Sequence, residues 1–181
     1  TSNLTLFLLS LISGLCNGAG IIVAQCFGAE DYQRMRKAVT AVIWVAGTLT
    51  VLVAMIGANY NQFFLKLLSV PEDVIGYSAE YLQILYIFVA GSVVYNGASA
   101  ILRSFGDSRT PLYALVLGSV LNIVLDLLLI LQFHMGVRGV ACATVIAQHV
   151  SAIFCVFHLV RKRKEFRLNG LEKKPDQEMV K

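Results

Sequence analysis

Pro111 to Phe133 reads PLYALVLGSVLNIVLDLLLILQF. A helix must be apolar for about 20 residues to cross the hydrocarbon core of a bilayer, and this run is long enough. Two of its residues are ones that hydrocarbon rejects. Asn122 and Asp126 stand four apart, which puts both on one helical face about one turn from each other. A soluble amphipathic helix would be polar along a whole face. This segment is apolar nearly all round, so it belongs in a membrane, and its carboxylate needs a reason.

Four further segments have the same character. The five expected spans are about 4–27, 38–58, 79–102, 112–133 and 139–160. All are read as helices, because an isolated strand would leave backbone groups unpaired in lipid. The fold class is therefore all-α, a polytopic membrane helix bundle over residues 1–160. Composition agrees: 57% of the 181 residues are hydrophobic and 14% are charged, against about a quarter charged in soluble domains. Cys16, Cys26, Cys142 and Cys155 lie in or beside apolar blocks without a CxxC pair, and read as small core residues. Punctuation is clear at some joints. Gly28 ends the first span, Pro71-Glu72-Asp73 sets an early start for the third, and Thr110-Pro111 predicts an N-cap and first helical position for the fourth.

Charge predicts sidedness. Of the 15 Lys and Arg, all but Lys66 and Arg138 fall in the connection after Gly28, in RSFGDSRT, or in the tail from Arg161 onward. Under alternation those three lie on one face, which the positive-inside rule assigns to the cytoplasm. The clustering at segment ends is not a nucleic-acid signature. Residues 59–77 are then external, with Tyr60, Phe63 and Phe64 as interfacial anchors. Residues 161–181 read as a basic cytoplasmic tail that sets topology, with membrane lipid as a partner. An external amino terminus before an odd number of spans predicts one more helix upstream.

Inside a membrane, polar stripes face the bundle interior or a cavity. The first span carries Ser10, Ser13 and Asn17, the third Ser92, Asn96 and Ser99, and the fifth Thr144, Gln148 and Ser151. The fourth carries Gly118, Asn122 and Asp126. The second has scattered Thr only and is expected to face lipid most. Gly14-xxx-Gly18 suits close packing. Asn17, Ser92, Ser99 and Gln148 are candidate cavity-lining residues.

Asp126 carries most weight. Insertion scales put Asp at a helix centre at roughly +2.5 to +3.5 kcal/mol. A carboxylate there holds a cation, a donor network or a proton. Depth counting pairs it with Thr144 and sets Asn96 nearer the cytoplasm. Asn122, Asp126 and Thr144 together make a hard oxygen site suited to Na⁺ or H⁺. The competing reading is a protonated packing residue. His149 is read as packing ahead of proton relay. The sequence shows no P-loop and no nucleophile with a base partner, so no enzyme and no cofactor is expected beyond a coupling ion.

GAGIIVAQCFGAED, ILRSFGDSRTPLYALVLGSVLNIVLD and GVRGVACATVIAQHVSA closely resemble the N-terminal half of MATE (multidrug and toxic compound extrusion) transporters. The resemblance implies a cation-coupled (Na⁺ or H⁺) antiporter that exports organic cations by alternating access across the plasma membrane. It implies that the five spans belong to a six-helix lobe, the rest of the chain being a first helix and a second lobe. By the same resemblance the cation site draws on Asn96, Asn122, Asp126 and Thr144. The alternatives are a related flippase for lipid-linked oligosaccharides, which needs a more basic cavity, and a non-transporting membrane scaffold or assembly factor.

Overall fold

The computed structural model describes residues 2–67, 72–162, 164, 166 and 168, with side chains except at 2–9, 11, 12, 56, 58–67 and 72–74. Those residues are all-helical or in short turns, and contain no strand. Six α-helices run α1 Ser2–Gly28, α2 Tyr32–Leu67, α3 Glu72–Ile87, α4 Ala90–Ser104, α5 Arg109–Leu127 and α6 Gly136–Arg161. A π-helical turn, Leu128–Gln132, continues α5. Three helical stretches are long and apolar enough to cross a membrane among the described residues. They become four if α3 and α4, bent by 50° at their junction, count as one span. At 27 residues, α1 is about 40 Å long at 1.5 Å per residue. The chain forms a multi-pass membrane bundle.

Four local features differ from expectation. The stretch 79–102 is α3 plus α4, not one straight helix. At the break the ladder tightens, with Val89 N donating to Tyr86 O at 3.4 Å and Gly91 N to Phe88 O at 3.4 Å. A Gly-Ser pair, Gly91-Ser92, follows at once, a known site of kinks. Second, α2 continues unbroken to Leu67, through the first nine residues of the segment expected outside; the side chains of Tyr60, Phe63 and Phe64 lie outside the described residues. Third, α5 starts at Arg109, not after Thr110. The cap comes from Asp107, whose Oδ1 accepts Thr110 N at 3.0 Å while its Oδ2 accepts the Thr110 hydroxyl at 2.8 Å. Aspartate takes two donors where threonine offers one oxygen. Fourth, only 11% of the apolar window of α5 is buried within these residues, against 33% for α2, so α5 is the less covered of the two helices.

The core is thickest at the basic end. Val23, Met35, Val39, Leu102 and Cys155 are fully covered there, and Phe166 and Leu168 join them at 5% and 6% exposure. The tail thus begins as part of the core, because it carries an aromatic and a leucine among its charges. Phe166 stacks on Phe105 at 4.5 Å, and Phe105 meets Phe27 edge-on at 5.0 Å. This ties the ends of α1, α4 and α6 together. Glycines set the helix spacing. A Cβ on Gly118 would sit 2.2 Å from Ser151 Oγ, and one on Gly57 2.3 Å from the Tyr86 ring. Gly14 and Gly18, expected at a packing seam, face open space.

Candidate functional site

Polar residues of α1, α4, α5 and α6 converge on one open cavity of about 690 Å³. Ser10 and Ser13 come from α1, Ser92, Tyr95 and Asn96 from α4, Gly118, Ser119 and Asn122 from α5, and Thr144, Gln148 and Ser151 from α6. The helical spacing of three and four brings each set to one face. Gly118 lets α5 approach α6 closely, and Ser151 there donates to Ala114 O at 2.9 Å. Ser92 Oγ bonds Gln148 Oε1, joining α4 to α6 across the cavity.

Asn96 lines this cavity, its amide donating to Ser92 O of its own helix at 2.8 Å. Ser99 does not line it. It is 1% exposed and packs with Cys155 Sγ at 3.7 Å, two turns along the same α4–α6 seam from the Ser92–Gln148 pair. Asn17 also lies off the lining, linking it to the basic end: its amide donates to Ser13 Oγ at 3.3 Å and its Oδ1 accepts from Arg103 at 2.9 Å.

Thr144 pairs with Asn122 rather than with Asp126 directly. The Thr144 hydroxyl donates to Val140 O at 2.9 Å. Its one proton is then committed, so the 3.4 Å contact with Asn122 runs from the Asn122 amide to Thr144 Oγ1. Donor logic thereby turns the Asn122 NH₂ toward α6, and its carbonyl becomes the group left to act as acceptor. Asp126 lies one turn beyond the lining. Its Oδ1 is the sole buried side-chain N or O without a hydrogen-bond partner among the described residues. An ionised oxygen left so is costly. A proton or hard cation on Asp126 removes that cost; the hard oxygen of Asn122 stands one turn away on the same helix, and Asn122 in turn contacts Thr144 Oγ1. The residues present fit such an ion. Among the described residues no three His, Cys, Asp or Glu cluster as a transition-metal site would require.

Tyr81 of α3 joins the same corner, its phenol beside Thr144 and within electrostatic reach of Asp126. Sequence reasoning missed it. Tyr81 stands at the expected outer end of a span, and the bend at Phe88–Val89 is what swings α3 over. His149 belongs elsewhere: its Nδ1 lies 2.8 Å from Val145 O, and its ring fills the space that the missing Cβ of Gly91 leaves. Glu80 of α3 is ion-paired with Arg138 of α6 in the open.

Residues 1–128 match the MatE family. The chain is 32% identical over 163 residues to the "Probable multidrug resistance protein YpnP" of Bacillus subtilis (strain 168), covering 90% of this chain and 37% of that protein. It superposes at a TM-score of 0.89 and 26% identity on the inward-facing conformation of a multidrug resistance MATE family transporter of the MOP superfamily, covering 96% of this chain and 40% of that one. The outward-facing conformation of such a transporter fits equally, at 0.88 and 26%, covering 98% and 40%. The chain thus spans about 37–40% of the length of these relatives.

Proposed function

The chain belongs to the MatE family, and from that premise we propose that the whole protein exports organic cations across the plasma membrane in exchange for inward Na⁺ or H⁺. The observation that carries this reading is the unpartnered, buried Oδ1 of Asp126 beside an Asn122–Thr144 pair. Asp126, Asn122 and Thr144 hold the coupling ion. Asn96, Ser92 and Gln148 line the cavity next to it, where an organic cation finds hydroxyl and amide oxygens and aliphatic walls.

The coupling follows from where Asp126 stands. It stands a turn along α5 from Asn122, which pairs with Thr144 of α6, and within electrostatic reach of Tyr81 of α3. Loading a cation neutralises one buried charge and draws the Asn122 and Thr144 oxygens inward. Unloading leaves a carboxylate that must find donors. The two states favour different settings of α3 and α5 against α6. The near-equal fit to inward- and outward-facing relatives supports this part moving largely as a rigid body, as alternating access requires. Nothing in the cavity favours the flippase alternative, since no Lys or Arg lines it among the described residues.

The test uses the full-length protein in proteoliposomes with an imposed Na⁺ or H⁺ gradient and a fluorescent organic cation. Asp126→Asn should abolish gradient-driven efflux while leaving expression and thermal stability near wild type. The gradient that drives the wild type names the ion. Undiminished efflux in Asp126→Asn would return Asp126 to a packing role and sink the proposal.

A further inference from the structure

A second cavity, of about 800 Å³, lies between α2, α4 and α6, away from the polar one. Val39 and Ile43 of α2, Val93 and Gly97 of α4, Val156 of α6 and Leu168 of the tail help to line it. Thr50, its one hydroxyl residue, donates to Ala46 O at 2.8 Å and so offers no donor to a guest. The groove is therefore an apolar slot, within the volume range of ordinary small-ligand sites.

Its lower mouth is the most basic place in the sequence. Val39 follows Arg36-Lys37, and the groove-lining Val160 is followed by Arg161-Lys162-Arg163-Lys164. Val160 and Leu168, which is 6% exposed, both line the groove, so Arg161, Lys162 and Lys164 lie between two of its lining residues in the chain. Lys162 is held by Asp107 at 2.9 Å. Arg161 and Lys164 are exposed. An apolar slot between membrane helices, ending at exposed cations, has the layout of a phospholipid: chain in the slot, anionic headgroup at the basic mouth.

We propose that the α2–α4–α6 groove binds one anionic phospholipid, an acyl chain lying along Gly97 and its phosphate on Arg161 and Lys164. This site is separate from the ion site, and rests only on the bundle lying in a membrane. Full-length protein in mild detergent is equilibrated with phosphatidylglycerol or phosphatidylethanolamine bearing a photoactivatable acyl chain, irradiated, and the labelled peptides mapped. Phosphatidylglycerol should label peptides containing Val93 and Val156. Gly97→Leu should remove that label: a Cβ there meets nothing within 4 Å, so the leucine fills the groove and not a helix seam. Arg161→Gln with Lys164→Gln should weaken phosphatidylglycerol labelling roughly 5-fold per charge and leave phosphatidylethanolamine unchanged. Label spread over all lipid-facing helices and indifferent to Gly97→Leu would overturn the proposal. So would a wild type unlabelled at Val93 and Val156, the result if another part of the chain fills the groove. Should Gly97→Leu fail to fold, the charge pair decides alone: no headgroup preference to lose means no site.

Discussion

Replacing Asp107 by asparagine removes one charge from the turn between α4 and α5 and keeps the side chain's shape. Burial alone would push this carboxyl up, but hydrogen bonds from Lys162, Thr110 N and the Thr110 hydroxyl reverse that and hold it at about 2, against 3.8 when free. A gap of about 1.8 units at 1.36 kcal/mol each sets a ceiling near 2.4 kcal/mol. The Lys162 side chain is 37% exposed, so water screens the pair, and about 1–1.5 kcal/mol is the working figure. Asp107→Ala also loses the cap, roughly another 1 kcal/mol. At about 2–4 °C per kcal/mol, Asp107→Asn should melt a few degrees below wild type at pH 7, and Asp107→Ala lower still. The assay is thermal unfolding of the full-length protein with a thiol-reactive dye, since Cys16, Cys26 and Cys155 are buried and free. The folded acid is stronger than the unfolded one, so the stabilisation is complete above pH 4 and is lost as pH falls toward 2. Wild type and Asp107→Asn should therefore converge in acid. Equal melting at pH 7, or a difference that does not shrink at low pH, would refute the reasoning.

Gly118→Ala drives a methyl to 2.2 Å from Ser151 Oγ, and the double change with Ser151→Ala should be about 1–2 kcal/mol more stable than the single one; thermal melts give the comparison, and no recovery would mean that the seam is not tight. Thr144→Val keeps the shape but removes the acceptor that Asn122 uses. The ion concentration for half-maximal efflux should rise roughly threefold to tenfold, the worth of one such hydrogen bond, and an unchanged value would place Thr144 outside the site. His149→Leu should leave the pH profile of efflux unaltered, because the ring is turned to its own backbone and to Gly91. A shifted profile would reinstate it as a proton relay.

Hydropathy made the helical bundle legible because each span answers to one solvent, the lipid. The polar stripes were legible for the same reason: Ser92 with Asn96, and Thr144 with Gln148 and Ser151, have no cheap place but an interior. What escaped depends on contacts between segments. The bend at Phe88–Val89 carries no proline, and the Gly91-Ser92 pair beside it gains its meaning only from a partner 58 residues away, the His149 ring that occupies the place of a Gly91 Cβ. Tyr81 was invisible for want of that bend. Ser99 and Asn17 share stripes with cavity residues, yet both lie further along their helices than the lining, Ser99 two turns from Ser92 against Cys155 and Asn17 a turn from Ser13. Thr110 looked like a cap, but the stronger acceptor three residues earlier took that place.

The burial of Phe166 and Leu168 bears on how such a bundle is to be excised. Hydropathy falls away at Arg161, and a truncation chosen there would seem to shed only charged residues. It would remove the ring stacked on Phe105 and the leucine beneath the α2–α4–α6 groove. Two buried side chains of this size are worth about 1.5–3 kcal/mol each, comparable to the margin on which many domains survive. The end of α6 is therefore not the end of the packed core. Cut sites, fusion joints and protease-tag insertions belong beyond residue 168.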